Sequence, residues 1–333
     1  MSRTISTMSK SGSRLLNRFV TSLSFSPAIH RTTRSLETLA YEEVRSSPDK
    51  PYSCTAFVLH GLLGSGRNWR SFSRTLASSL SDKWRMVLVD LRNHGKSAEL
   101  QGLKPPHDIG SAAQDLADLV KLRGWDWPDV VVGHSMGGKV ALHFAQSCAR
   151  GDYGSHVRLP RLLWILDSLP VKVNAEDSDG EVEKVLQTLQ GLPSPIPSRK
   201  WLVDHMMKLG FSKALSEWVG SNLKKSGDKE TWAFNLEGAV QMFNSYRETD
   251  YWDLLERPPK GMEIAIVQAE NSDRWTPEII QEIERLAARK ADEVDGKVTH
   301  YVLPKSGHWV HVDNPKGLLE IVTPKMASLD LVN

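Results

Sequence analysis

The sequence predicts an α/β chain built on a mostly parallel central sheet with helices on both faces. Two observations carry this prediction. Short apolar runs of strand length alternate with helical apolar patterns from Thr55 to Asp167, the order that parallel βαβ units require. Within that stretch, Val130–Val132 leads straight into Gly133-x-Ser135-x-Gly137, and a helical pattern follows over Lys139–Arg150 with Val140, Ala141, Phe144, Ala145 and Cys148 on one side. A strand that turns so sharply into a helix is the setting of a nucleophile elbow. Glycines two positions either side of the serine let the two backbones approach without a Cβ clash. The serine hydroxyl is then presented at the carboxyl end of the sheet, beside a helix N-terminus that favours negative charge.

The other elements are read in order. Leu39–Arg45 is a weak strand, and Ser47-Pro48-Asp49-Lys50-Pro51 is a turn. Thr55–His60 is a short apolar strand followed by a glycine-rich loop, His60-Gly61-Leu62-Leu63-Gly64-Ser65-Gly66. Asn68–Leu80 carries Trp69, Phe72, Leu76 and Leu80 at helical spacing, and Trp84–Asp90 is a buried strand. A loop over Leu91–His107 precedes a helix from Asp108 to Arg123, with Asp108 as its N-cap. Leu162–Leu166 is a strand ending in Asp167. The alternation then stops. Ser168–Met262 shows helical patterns, almost no strand signal, and Trp201, Trp218, Trp232 and Trp252, so residues 168–262 are expected to be a helical cap between a first core part (37–167) and a second (263–333). In that second part, Glu263–Gln268 resumes the sheet, Thr276–Lys290 is a helix, Lys297–Leu303 is a last strand and Pro315–Ala327 a closing helix.

Composition narrows the function class. The chain has 333 residues, 40% hydrophobic and 25% charged, with a formal net charge of +2, as expected of a chain with an ordinary core. No long basic face interleaves with aromatics, so no nucleic-acid partner is expected. No apolar run reaches the roughly 18 residues of a membrane span. Cys54 and Cys148 are too few for a disulfide framework and read as small core residues. The first 36 residues hold Arg3, Lys10, Arg14, Arg18, Arg31 and Arg34, many serines and threonines, and no acid. This is the pattern of an organelle transit peptide, mitochondrial by its arginines, with the plastid as alternative. Removing residues 1–34 would turn the net charge from +2 to −4.

A serine needs a base to become a nucleophile, and the base needs an orienting acid. Ser135 is the expected nucleophile. His308, in Ser306-Gly307-His308-Trp309 after the last strand, is the expected base, because its loop opens at the same end of the sheet as the elbow. Two acids qualify. Asp167 follows the strand after the elbow, and Asp273 follows the strand after the cap; both loops open on the same side, so topology does not choose between them. Backbone N–H groups of Met136 and Leu62 are the expected oxyanion donors. His94-Gly95-Lys96-Ser97 resembles the end of a phosphate-binding loop, but Asp90 stands where that motif requires glycine, so no nucleotide cofactor is expected. His308-x-x-His311 lacks an accompanying acidic ligand pattern, so neither is any metal. Asp90, Arg92 and His94 read as a structural loop beside the site, and Lys139 as non-catalytic.

These motifs together resemble the α/β-hydrolase superfamily from about residue 40 onward. The matching pieces are His60-Gly61-Leu62-Leu63-Gly64-Ser65, Asp90-x-Arg92-Asn93-His94-Gly95-x-Ser97, Gly133-His134-Ser135-Met136-Gly137-Gly138-Lys139 and Gly307-His308-Trp309-x-His311-x-Asp313-x-Pro315. The resemblance implies an α/β-hydrolase fold and a serine esterase, lipase or thioesterase acting on a small acyl ester, often mitochondrial in eukaryotes. The alternative is a ligand receptor on the same scaffold with little turnover. The chain departs from the pattern at two places. It has Asp167-Ser168-Leu169-Pro170 where relatives carry Asp-Ile-x-Pro, and Ala269-Glu270-Asn271-Ser272-Asp273 where they carry Gly-Gly-Asn-Ser without the acid. Glu237 in the cap is a remote third acid.

Overall fold

A computed structural model describes residues 38–173, 180–290 and 295–329. The transit-peptide expectation for residues 1–36 lies outside the described residues. Within them, strands form wherever a short run is apolar on both sides of its pleat, because such a run is buried only in the middle of a layered sheet. The strands are β1 (Tyr41–Val44), β2 (Cys54–Leu59), β3 (Trp84–Val89), β4 (Val130–His134), β5 (Leu162–Leu166), β6 (Leu223–Ser226), β7 (Lys229–Trp232), β8 (Glu263–Ala269) and β9 (Lys297–Leu303). Seven of them make one sheet in the order β1-β3-β2-β4-β5-β8-β9. Only β1, the least apolar of the seven, runs antiparallel to its neighbour; every other pairing is parallel.

The strand period of two divides the core. Phe57, Leu59, Val87, Val131, Leu163 and Ile165 face one layer, and Ala56, Val58, Met86, Val130, Val132 and Trp164 face the other. The second layer is covered by α1 (Arg70–Ser79) through Phe72 and Leu76. The first is covered by α2 (Ile109–Arg123) through Leu116 and by α3 (Met136–Arg150) through Val140 and Phe144. Asp108 caps α2 by accepting the Ser111 N–H at 2.6 Å, a contact worth about 1 kcal/mol. Truncating a side chain as enclosed as Phe57, which has no exposure, would cost about 3–5 kcal/mol.

Between β5 and β8 the chain leaves the sheet. It forms α4 (Glu181–Gln190), α5 (Arg199–Lys208), α6 (Lys213–Ser221), the β6–β7 hairpin, α7 (Leu236–Glu248) and α8 (Trp252–Glu256). Leu202, Val219 and Met242 from this segment join the first core layer. The hairpin departs from the helical expectation. Its strands, Leu-Lys-Lys-Ser and Lys-Glu-Thr-Trp, carry mostly charge, so no alternating apolar pattern marks them. The chain then adds α9 (Pro277–Ala287), the short α10 (Val310–Asp313) and α11 (Pro315–Leu329), whose Leu318, Val322 and Met326 complete the second layer. Cys54 and Cys148 are both buried. No helix among the described residues is long and apolar enough to cross a membrane.

Candidate active site

Parallel strands end together, so the loops after β2, β4, β5, β8 and β9 gather at one edge of the sheet. At the end of β4, Ser135 has φ 52° and ψ −121°. Positive φ in a residue with a Cβ costs on the order of 1–3 kcal/mol and persists only where the surroundings impose it. Here the Ser135 N–H donates to the Leu166 carbonyl at 3.0 Å, and the Ser135 carbonyl accepts from the Gly138 N–H at 2.8 Å. The flanking glycines are obligatory. A Cβ on Gly133 would lie 2.2 Å from the Gly137 oxygen, and one on Gly137 would lie 2.6 Å from the His60 oxygen. The helix therefore begins immediately after the serine, at Met136, earlier than its apolar pattern indicates.

His308 sits in the loop after β9. Its Nδ1 donates to Asp167 Oδ2 at 2.7 Å, which fixes the neutral tautomer with the lone pair on Nε2. His134 Nε2 donates to the His308 carbonyl at 2.7 Å and holds the loop from beneath. Asp167 itself has no exposed side-chain surface and φ of 41°. Its carboxylate accepts from three further donors: Ala269 N–H at 3.1 Å, Ser272 Oγ at 2.9 Å and Trp275 Nε1 at 2.6 Å. Burial pushes this carboxyl up, but His308, Trp275 and Ala269 outweigh burial and hold it below the usual carboxylate range. Burial and the Arg274 charge lower the His308 imidazole against the opposing pull of Asp167. The ring is then neutral at pH 7, the form that can take a proton.

Of the two acids, the structure brings Asp167 to the imidazole. Asp273 is exposed and acts on His308 through charge alone. The physical reason is the turn of its loop, which sends Ser272 and Trp275 inward to Asp167 and leaves Asp273 outside. Glu237 is also exposed, in the first turn of α7.

Leu62 and Met136 line the same cavity as Ser135 and His308, a space of about 330 Å³. Among the described residues neither backbone N–H is spent on another protein group. A Cβ on Gly61 would stand 3.2 Å from Ser135 Cβ, so the glycine-rich loop lies directly against the elbow. The rest of the cavity is largely apolar, with Val185, Leu186, Leu215, Trp218 and Phe243 from the cap segment and Trp309 beside the histidine.

The neighbouring polar residues have structural partners. Asp90 accepts the Gly66 and Lys96 N–H groups, each at 2.8 Å, and Arg92 forms a two-pronged ion pair with Asp115 at 2.7 and 2.8 Å. His94 and His60 are fully buried, and burial lowers them to about 3 and about 4. His311 stacks on Trp69 at 4.1 Å between ring centres while His308 turns to Asp167, so the two histidines do not converge as metal ligands would. Lys139 is buried, and its Nζ donates to the carbonyls of Val171, Tyr246 and Thr249 at 2.6, 2.5 and 2.8 Å. That side chain ties the elbow helix to two separate stretches of the segment between β5 and β8, although burial lowers its pKa to about 7. Sequence reasoning missed this tie, the Trp275 and Ser272 donors, and His134 under the histidine loop. The partners of Asp167 lie more than a hundred residues away, and no local pattern links them.

The chain has known relatives. The model of the alpha/beta hydrolase family matches residues 56–321. The chain is 27% identical over 272 residues to the mouse (Mus musculus) sn-1-specific diacylglycerol lipase ABHD11, covering 81% of this chain and 80% of that one. It is 26% identical over 275 residues to a probable protein phosphatase methylesterase 1 of Caenorhabditis elegans, covering 80% and 67%. Among solved structures, a marine microorganism esterase superposes with a TM-score of 0.66 at 23% identity, over 86% of this chain and 98% of that one, a likeness of fold. With the family model running from β2 through the elbow to the histidine loop and into α11, the chain belongs to the alpha/beta hydrolase family.

Proposed function

We propose that this hydrolase cleaves acyl esters through an acyl-enzyme on Ser135, with His308 as general base, Asp167 as orienting acid and the Leu62 and Met136 N–H groups as oxyanion donors. The observation that carries the reading is the 2.7 Å hydrogen bond to buried Asp167 from His308, whose ring lines the cavity that also holds the strained Ser135. Neutral His308 accepts the Ser135 proton as Oγ attacks the ester carbonyl. Negative charge develops on the carbonyl oxygen, where two fixed N–H dipoles need no reorganisation to receive it. The resulting imidazolium, stabilised by Asp167, protonates the leaving alcohol. Water then enters, loses its proton to His308 and releases the acid, returning Ser135 to its hydroxyl form. The apolar cavity suits the acyl chain. Names of relatives that include lipase and methylesterase support an ester as the bond cleaved.

An ester panel on the purified protein, with Ser135→Ala beside the parent, tests this. Turnover falling by about 10⁵- to 10⁶-fold in the variant is expected. Undiminished turnover, or none in the parent on any ester, would move the reading to a receptor on a hydrolase scaffold.

We further propose that residues 1–36 address the protein to the mitochondrion, with the plastid as the alternative. The arginine-rich, acid-free composition supports this. A fluorescent fusion of residues 1–45 should enter the organelle, and a cytosolic fusion would remove the proposal.

A further inference from the structure

Several enclosed arginines among the described residues are matched to carboxylates. Arg92 pairs with Asp115, Arg161 with Asp129, Arg247 with Glu183 and Arg289 with Glu256. Arg274 has no such match among the described residues. It is half-buried, lines the cavity of Ser135 and His308, and also lines the smaller recess that opens beside it. Among the described residues it forms no ion pair and no hydrogen bond. The carboxylates described at the smaller recess do not supply one. Glu183, in the smaller recess, is held by Arg247 at 3.2 Å. Asp273 precedes Arg274 in the chain and lines the smaller recess, but it stays beyond ion-pair distance. Glu181, at the rim of both spaces, is exposed and has another contact.

The Arg274 guanidinium lines a largely apolar cavity with no protein anion bound to it among the described residues, so it is open to an anionic group that enters. Its planar fork fits two oxygens of one acidic group. The geometry points to Arg274 as the receptor for an anionic oxygen group on the substrate, a carboxylate on the acyl chain or a phosphate on the alcohol, so that the preferred ester is charged rather than neutral. This rests on the ester-hydrolase reading and names its substrate class. It also links binding to chemistry. The Arg274 charge lowers the basicity of His308, and an anion docked on it would offset that charge and return basicity to the imidazole as the substrate arrives.

The test compares matched esters in the parent, Arg274→Gln and Arg274→Lys. For the acyl side these are p-nitrophenyl hemiglutarate and p-nitrophenyl valerate; for the alcohol side, 1-oleoyl lysophosphatidate and 1-monooleoylglycerol. The quantity read is the ratio of kcat/KM, charged over neutral, within each protein. A ratio of about 10 to 100 in one pair is expected in the parent, falling to about one in Arg274→Gln and partly recovered in Arg274→Lys. The pair that shows it identifies the carboxylate or the phosphate. Ratios near one in the parent, or a preference that survives Arg274→Gln, would overturn the inference. If no ester turns over, the ester-hydrolase reading has failed separately. Thermal shift then decides: glutarate or glycerol 3-phosphate should raise the parent Tm and leave Arg274→Gln unmoved, and no shift in the parent overturns the proposal.

Discussion

Two loops at the carboxyl edge of the sheet each carry an acid, and the contrast between them shows what makes an acid serve a histidine. The loop after β5 gives Asp167, fully enclosed and held by His308, Trp275, Ser272 and the Ala269 N–H. The loop after β8 gives Asp273, exposed and unbound by the imidazole. That second loop, with the last residue of β8, contributes three of the four donors to the first loop's carboxylate. One loop supplies the charge and the other supplies the dipoles that keep it ionised. A carboxylate buried without such donors would take up a proton and lose its orienting role.

The contrast breaks most sharply under substitution of each acid. Asp167→Asn should lower kcat by about 10⁴-fold, because the amide leaves the wrong tautomer facing the serine. Asp273→Asn should stay within about threefold. Steady-state kinetics on one ester separates the two, and equal losses would erase the distinction.

Acid should act on the buried histidines beside the site before it reaches the carboxylates. His60 and His94 are lowered by burial to about 4 and about 3. The unfolded chain binds their protons near pH 6.5 and the folded chain does not. Their stabilising contribution is therefore complete above pH 6.5 and is lost as pH falls toward 4 and then 3. The loss is on the order of several kcal/mol between them, read as a falling urea midpoint over that window. A flat midpoint from pH 6.5 to 4 would contradict it.

Trp275→Phe removes one hydrogen bond to a buried charge. It should cost about 1.5–3 kcal/mol of stability, and the Asp167 carboxyl should titrate higher. The smallest effect expected is on the pH profile. The acid limb of kcat/KM should lie below the 6.5 of free imidazole, because burial and Arg274 both disfavour the protonated ring. Arg274→Gln removes a cation, so that limb should move upward.

How much of this was legible in the sequence follows from range. Ser135 and His308 announce themselves because glycine spacing and strand endings are local. The choice of acid was not legible, since Asp167 and Asp273 end equivalent strands and only the inward turn of Ser272 and Trp275 separates them. Arg274 was passed over beside Asp273, because nothing in a linear chain marks a cation without a partner. The β6–β7 hairpin escaped for another reason. Its strands are charged and short, yet Gly227, with φ of 63°, and Asp228 form the two-residue turn that joins them, a signal that was there to be read. Lys139 was set aside as non-catalytic, but its three bonds to the cap carbonyls depend on folds in the chain far from it.

The claim beneath all of this is that Ser135 is an activated nucleophile. Peptide mass spectrometry after treatment of the folded protein with a fluorophosphonate measures it directly. The account predicts one adduct, on Ser135, formed rapidly in the parent and far more slowly in Asp167→Asn and His308→Ala. An unlabelled Ser135, or labelling unchanged by loss of His308, would contradict it.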